Sequence, residues 1–227
     1  MIRVEDKYWC SERDMLLLQA RVKIIMRPDP YSGDRPYRIT SLYFDDSRDS
    51  HWSDSEEGIS HRTKYRIRIY NNSQDVIRLE VKTKAYNRVD KKARTISREE
   101  AARLIAGECI EDHEESVNNP VTLFNLAIRK DLLRPKAVID YERTAYTFSP
   151  GNVRVTFDRN LRVSADAAGF LNGSCMFEPV RETDRILEIK YDELLPGFIA
   201  RLLESGNMNQ TAYSKYRLGR EQLERRR

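Results

Sequence analysis

In "KYRIRIY" the side chains of Lys64, Arg66 and Arg68 alternate with those of Tyr65, Ile67 and Ile69. Beyond the turn-forming "NNSQD", Arg78, Glu80, Lys82 and Lys84 alternate with Leu79 and Val81. Alternation of period two puts one set of side chains on each face of a strand, and Asn, Ser and Asp between two such runs favour a turn. A strand face of Lys, Arg and Glu is either solvated or built for a ligand that carries many negative charges. Arginine offers a two-pronged fork to phosphate oxygens and lysine a movable point charge. A carboxylate on such a face would only repel phosphate unless it holds a hard divalent cation, such as Mg²⁺ or Mn²⁺, that bridges to the phosphates.

The same kind of face recurs along the chain. "IRVEDKY" sets Arg3, Glu5 and Lys7 on one side, "VRVTFD" sets Arg154, Thr156 and Asp158 on one side, and "LEIKY" does so with Glu188 and Lys190. "YRITSLYFD" and "AVIDYERTAYTF" are further strands, the second with Arg143; Lys215 stands alone in "SKY". These positions hold twelve cations and four anions, whereas the whole chain is only +4, so the remainder is net acidic and the positive charge is concentrated on strand faces. The opposite faces are Ile, Val, Leu, Phe and Tyr and must be covered. Both demands are met if helices coat the outside of a curved sheet whose charged faces point inward. The expected class is therefore α+β, with a closed antiparallel β-barrel tunnel of about eight strands. Buried like charges cost several kcal/mol each unless anions or water compensate, so such a lumen should be wet and filled with anions.

Helices fall between the strands. One begins at Ser11 with Asp14 in its first turn and ends before Pro28, and another has the Ser97/Glu100 spacing of a capping box with Gly107 as its stop. A third has Asn119 as cap and Pro120 at its first position. Two more are expected, one in "LPGFIARLLESG" between Pro196 and Gly206 and one in "SKYRLGREQLERRR" at the end. "EDHEES" reads as a solvated loop and Arg225 to Arg227 as a solvated tail, while Tyr65, Tyr70 and Tyr191 read as packing residues.

Other chemistries are disfavoured. His51, His61 and His113 lie outside the alternating faces, which argues against a histidine metal site, and no GxxxxGK[ST] loop is present. A net charge of +4 and a pI near 8.9, with the C-terminal Arg225 to Arg227 as the one basic run, are too mild for a general nucleic-acid binder. Cys10, Cys109 and Cys175 are odd in number and far apart, against a disulfide framework. "MIRVEDKYWC" has no apolar leader, and no run approaches the roughly 18–20 apolar residues of a membrane span. The expectation is one cytoplasmic domain over residues 1–227 without a membrane span.

"DKYW", "SLYFDD", "RTKYRIRIY", "RLEVKTK", "KKAR", "ERTAY", "VRVTFD", "ILEIKY" and "SKYRLG" follow one another over nearly the whole length. With these motifs in this order the sequence resembles the triphosphate tunnel metalloenzymes, and within them the VTC (vacuolar transporter chaperone) polyphosphate polymerase domain. The resemblance implies a closed β tunnel that binds a triphosphate with Mn²⁺ or Mg²⁺ and transfers the γ-phosphoryl group of ATP to a polyphosphate chain. By motif, it implies that Lys7, Arg66, Arg68, Lys82, Arg143, Lys190 and Lys215 grip the reacting phosphates. Lys64, Lys84, Lys92, Arg94 and Arg154 would add charge for the substrate, with either Lys92 or Arg94 acting for "KKAR". Glu188 would be the chief metal ligand, with Glu80 and Asp158 assisting at the metal or pairing with neighbouring cations. Hydrolytic and cyclase-like branches begin with ExExK, whereas Arg3 stands here at the first acidic position, which favours the VTC branch. The phosphate-sensing domain and membrane spans that accompany the fungal polymerase are not found in this sequence. The other functions considered are a tri- or nucleoside triphosphatase, and a polyphosphate-binding module without catalysis.

Overall fold

A computed structural model describes residues 3–32, 35–86, 88–112, 116, 119–180, 185–204, 208–211 and 213–225, with backbone alone at Arg3 and Arg88. His113, Gly206, Arg226 and Arg227 lie outside the described residues. The strands are β1 (Arg3–Trp9), β2 (Arg27–Pro28), β3 (Tyr37–Asp45), β4 (His61–Tyr70), β5 (Ser73–Ala85), β6 (Arg88–Ile96), β7 (Arg134–Phe148), β8 (Val153–Ser164), β9 (Glu178–Pro179), β10 (Arg185–Asp192) and β11 (Asn209–Gln210). The helices are α1 (Glu12–Ile25), α2 (Ser50–Glu56), α3 (Arg98–Ala106), α4 (Pro120–Asp131), α5 (Gly197–Leu203) and α6 (Lys215–Glu224).

The eleven strands form one sheet in the order β11-β1-β10-β8-β7-β3-β4-β5-β6, with β2 beside β7 and β9 beside β8. This corrects the expectation of a closed barrel: the order has two ends, β11 and β6, and the sheet does not close. Closure was expected in order to enclose a surplus of cations. The structure instead sets carboxylates against Lys7, Arg66, Arg68, Arg143 and Lys190 on the same strand faces, which compensates these cations without an enclosed lumen. The ends are blunted in familiar ways, β11 by its two-residue length and β6 by Lys91, Lys92 and Arg94.

The chain forms two compact units. The first comprises Met1–Arg38, Tyr141–Leu161 and Arg181–Tyr213, and the second Ile39–Asp140, Arg162–Val180 and Ser214–Arg227. In the first, α1 starts as its sequence dictates: the Ser11 side chain accepts from the Asp14 N–H, and the helix stops at Met26, ahead of Pro28. Met15, Leu18 and Val22 of α1 and Ile199 and Leu203 of α5 pack on Val153, Val155 and Phe157 of β8 and Leu187 and Ile189 of β10.

In the second unit β4 and β5 form a hairpin in which Tyr70 faces Ser73. Asn71 and Asn72 between them have φ of 51° and 56°, the left-handed conformation that a two-residue hairpin turn requires and asparagine tolerates. α3 has the full capping box of Ser97 and Glu100, and Gly107 ends it with φ 82°. α4 begins with the Asn119 side chain accepting from the Val121 N–H and Pro120 in the first turn. Leu104 of α3 and Phe124 and Ile128 of α4 join the core formed by Ile67, Ile69, Leu79 and Val81. The apolar half of the strand alternation is thereby buried, and the charged half is left on the other face. α2 has no counterpart among the helices expected from sequence.

Candidate functional site

Register alone assembles a charged cluster in the first unit. Lys7 on β1 stands opposite Glu188 on β10, Glu5 opposite Lys190, and Glu188 in turn opposite Thr156 on β8. Lys190 Nζ lies 3.1 Å from Glu188 Oε1 and 3.7 Å from Glu5 Oε2, while Lys7 Nζ lies 2.8 Å from Glu5 Oε1 and 4.0 Å from Glu188 Oε1. Two carboxylates thus share two ammonium groups. The Glu188 carboxylate is 5% exposed, and burial alone would raise its pKa. Lys190, Lys7 and Arg143 outweigh burial and hold it well below the usual carboxylate range.

Arg143 closes a two-pronged bond on Asp158, with Nε to Oδ1 at 2.6 Å and Nη2 to Oδ2 at 2.7 Å, and its Nη2 also lies 3.5 Å from Glu188 Oε2. Arg154 is directed elsewhere. Its Nη2 lies 2.9 Å from Asp29 Oδ2 and donates to the Tyr37 hydroxyl at 3.3 Å.

The second unit has its own cluster, centred on Glu80, which is 2% exposed. Arg66 Nε donates to Glu80 Oε2 at 2.6 Å, Arg68 Nη1 lies 3.7 Å from the same oxygen, and Lys91 Nζ lies 2.5 Å from Oε1. Burial would raise the Glu80 pKa, but Arg66, Arg68 and Lys91 together drive it far below the ordinary carboxylate value. Arg66 also donates to the Tyr43 hydroxyl at 2.9 Å and Arg68 to Ser41 at 3.1 Å, each on the facing residue of β3. Burial pushes the Tyr43 phenol up, yet Arg66 and Arg68 bring it below its ordinary value. The Tyr43 ring stacks on Tyr216 of α6 with centroids 4.9 Å apart, and the Tyr216 hydroxyl donates to buried Asp45 at 2.7 Å. Lys64 Nζ donates to Ser214 Oγ at 2.7 Å, which ties β4 to the residue that caps α6, just before Lys215.

Lys91 was not expected from sequence, and Lys92 and Arg94 were. Lys91 stands opposite Lys82 on β5, and Ala93 opposite Glu80, so Lys91 shares the face of Arg66 and Arg68. Lys92 and Arg94 stand opposite Val81 and Leu79, on the other face, where Lys92 pairs with Asp90 at 2.8 Å and Arg94 lies 3.9 Å from Asp112. The signal was available in the sequence, because apolar Ile96 shares the parity of Lys92 and Arg94 and is buried. Burial is also the first cause of an unusual Lys91: with Arg66 and Arg68 it pushes the ammonium pKa down to about 8 against the pull of Glu80. Lys84 shares the parity of Lys82 and stands opposite Arg62 on β4. Glu5 is the other residue to which the sequence reading gave no role.

Comparison with known proteins adds the family. The model of the VTC domain matches residues 2–224. The chain belongs to the VTC domain family. No curated protein sequence matches it significantly. Among solved structures, this VTC domain is similar to a Bacillus halodurans protein provisionally named an adenylate cyclase, with TM-score 0.50, 13% identity, and coverage of 89% of this chain and 87% of that one. A Pyrococcus horikoshii protein gives TM-score 0.49 and 14% identity over 97% and 99% of the two chains. The likeness to the Bacillus protein is one of fold. Membership of the VTC family supports a function related to polyphosphate or triphosphate. Among the described residues no helix is long and apolar enough to cross a membrane.

Among the described residues of this VTC domain no three His, Cys, Asp or Glu side chains gather as a ready-made metal cage. Mg²⁺ and Mn²⁺ do not require one: one or two carboxylates suffice when water and substrate phosphates complete the octahedron. Glu5 and Glu188 meet that requirement. Both are hard oxygen donors, and their oxygens already attract the same two cationic groups. Asp158 directs both oxygens to Arg143, and Glu80 is engaged by three cations.

Proposed function

We propose that this VTC domain is a metal-dependent polyphosphate polymerase that transfers the γ-phosphoryl group of ATP to the end of a polyphosphate chain. The observation that carries the reading is the gathering of Arg66, Arg68 and Lys91 around the single carboxylate of Glu80 on the strand face opposite the apolar core. In phosphoryl transfer the protein has little covalent work to do, and positioning with charge stabilisation supplies most of the rate. The terminal oxygen of the acceptor chain forms a bond to the γ-phosphorus while the bond from that phosphorus to the β–γ bridging oxygen breaks, and ADP leaves. No protein nucleophile is required.

Arg66 and Arg68 would donate to phosphate oxygens, with Lys82 and Lys91 as point charges on the same face. Glu188 with Glu5 would hold Mn²⁺ or Mg²⁺, which supplies charge neutralisation on phosphate oxygens when bound. Lys7 and Lys190 would orient those two carboxylates, and Arg143, held in place by Asp158, would present the second N–H of Nη2 toward the Glu188 side of the cluster.

The test is incubation with ATP and Mn²⁺, with products resolved on a denaturing gel. Long phosphate chains are the expected result. Free phosphate alone would make water the acceptor and overturn the polymerase reading. Polyphosphate binding without turnover would leave a binding module.

A further inference from the structure

α1 is apolar on two sides. Met15, Leu18 and Val22 face the core, but Leu16, Leu17, Ile24 and Ile25 are exposed, with Ile24 82% and Leu16 58% open to solvent. At 100° per residue, Leu16, Leu17, Ala20 and Ile24 fall within one stripe, away from the buried one. The cations Arg13 and Lys23 are exposed on α1, and Arg27 is exposed directly after it. From residue 15 to residue 28 there is no Asp or Glu. The acids of α1 are confined to its first turn, where Glu12 pairs with Arg185 at 3.1 Å and Asp14 meets the cap residue Ser11. Tyr31, a few residues beyond, is 84% exposed. An exposed stripe of branched apolar side chains, fringed beyond its first turn by cations only, costs solubility without any gain inside the fold. Neither α3 nor α4 has such a face: the exposed side of α3 is Arg98, Glu99, Ala102, Arg103 and Ala106, and α4 exposes Leu126 beside Arg129 and Lys130.

We infer that the outer face of α1 docks this protein on an anionic lipid surface, with Leu16, Leu17 and Ile24 entering the headgroup–acyl boundary and Arg13, Lys23 and Arg27 meeting lipid phosphates. Charge complementarity selects this occupant. A second copy could answer Lys23 or Arg27 only with Glu12 or Asp14, which Arg185 and Ser11 already engage, and would bring two net-positive faces together, whereas an anionic bilayer answers every cation. An amphipathic helix with cations beside its apolar stripe lies in the interface plane, and its binding grows with buried apolar area and with anionic lipid content. The inference is independent of the proposed phosphoryl transfer, since none of these residues belongs to either charged cluster.

The experiment is flotation of the full chain with phosphatidylcholine vesicles, and with vesicles containing roughly a third phosphatidylglycerol, as a typical anionic mixture. The protein should float with the anionic vesicles, remain behind with the neutral ones, and be released as salt is raised. Lys23→Gln should weaken the partition about fivefold, the equivalent of one cation near the surface. Leu16→Ser with Ile24→Ser should weaken it by more than about tenfold. Both side chains are largely in water, so the fold should survive, and circular dichroism with a melting curve checks that it does. Absence of flotation with anionic vesicles, or flotation that these variants do not change, would overturn the inference. So would a dimer seen in sedimentation that Ile24→Ser disperses, because the stripe would then be covered by a second copy.

Discussion

Glu188 and Arg66 separate metal-dependent turnover from binding. Glu188→Gln keeps the size and hydrogen-bonding capacity of the side chain but removes the charge that a hard divalent ion requires. Turnover with Mn²⁺ should be lost while polyphosphate binding without metal is retained or slightly tightened, since one repulsive anion is gone. Arg66→Ala should weaken binding with or without metal by about 1.5–3 kcal/mol, the scale of one charge-assisted hydrogen bond. Filter binding and product gels on the two variants check both. Lys91 adds a pH signature. With its pKa near 8, it loses its charge as the pH rises from 7 to 9, so polyphosphate affinity should fall across that interval in the parent protein. In Lys91→Arg, which stays charged, the fall should be absent. Stability moves the opposite way: between about 8 and the ordinary lysine value of about 10.4 the unfolded chain holds a proton that the folded chain has released. This group therefore favours folding as the pH climbs through that window, which urea titrations at both limits would read.

At the scale of elements, much of the fold could be read from the chain, because both of its periodicities are local. β3 runs from Tyr37 to Asp45, the stretch expected as a strand, and α1, α3 and α4 begin on the caps that Ser11, Ser97 and Asn119 announce. α2 was missed because no side-chain cap hydrogen bond marks its start: Asp49 at that position is left-handed, with φ 56°. Lys91 was missed for a different reason. Which of two adjacent lysines joins the charged face is fixed by parity along β6, and buried Ile96, in step with Lys92 and Arg94, puts those two on the apolar side. Closure of the sheet lies beyond local pattern, since it depends on whether end strands meet. α6 offers a test of close packing. A Cβ on Gly219 would come 2.2 Å from Ile139 Cδ1 and 3.2 Å from Val163 Cγ2, both on buried side chains. Gly219→Ala should therefore destabilise the protein by about 1–3 kcal/mol despite its better helix propensity, a loss visible as a lower denaturation midpoint.

At the scale of the whole molecule, each compact unit is stitched from three separate stretches of sequence. A break between Asp140 and Tyr141 cuts β7 and deprives both units of at least one stretch, so neither half-chain should fold when expressed alone. Circular dichroism of the two halves, apart and mixed, reads this directly. The carboxylates of the two clusters have a further consequence. Among the described residues, buried Asp45 is held by dipoles, accepting from the N–H groups of Asp46, His51 and Trp52 and from the Tyr216 hydroxyl. Glu80, by contrast, is held by cations that a phosphate also wants. On the proposed function it would be a place-holder, and an incoming anion would take over its partners rather than fill a vacancy. A single orthophosphate offers few oxygens for that exchange. A chain of phosphates brings the next unit at high effective concentration once the first is seated, so occupancy should rise steeply with chain length, and competition titrations with phosphates of increasing length would trace it.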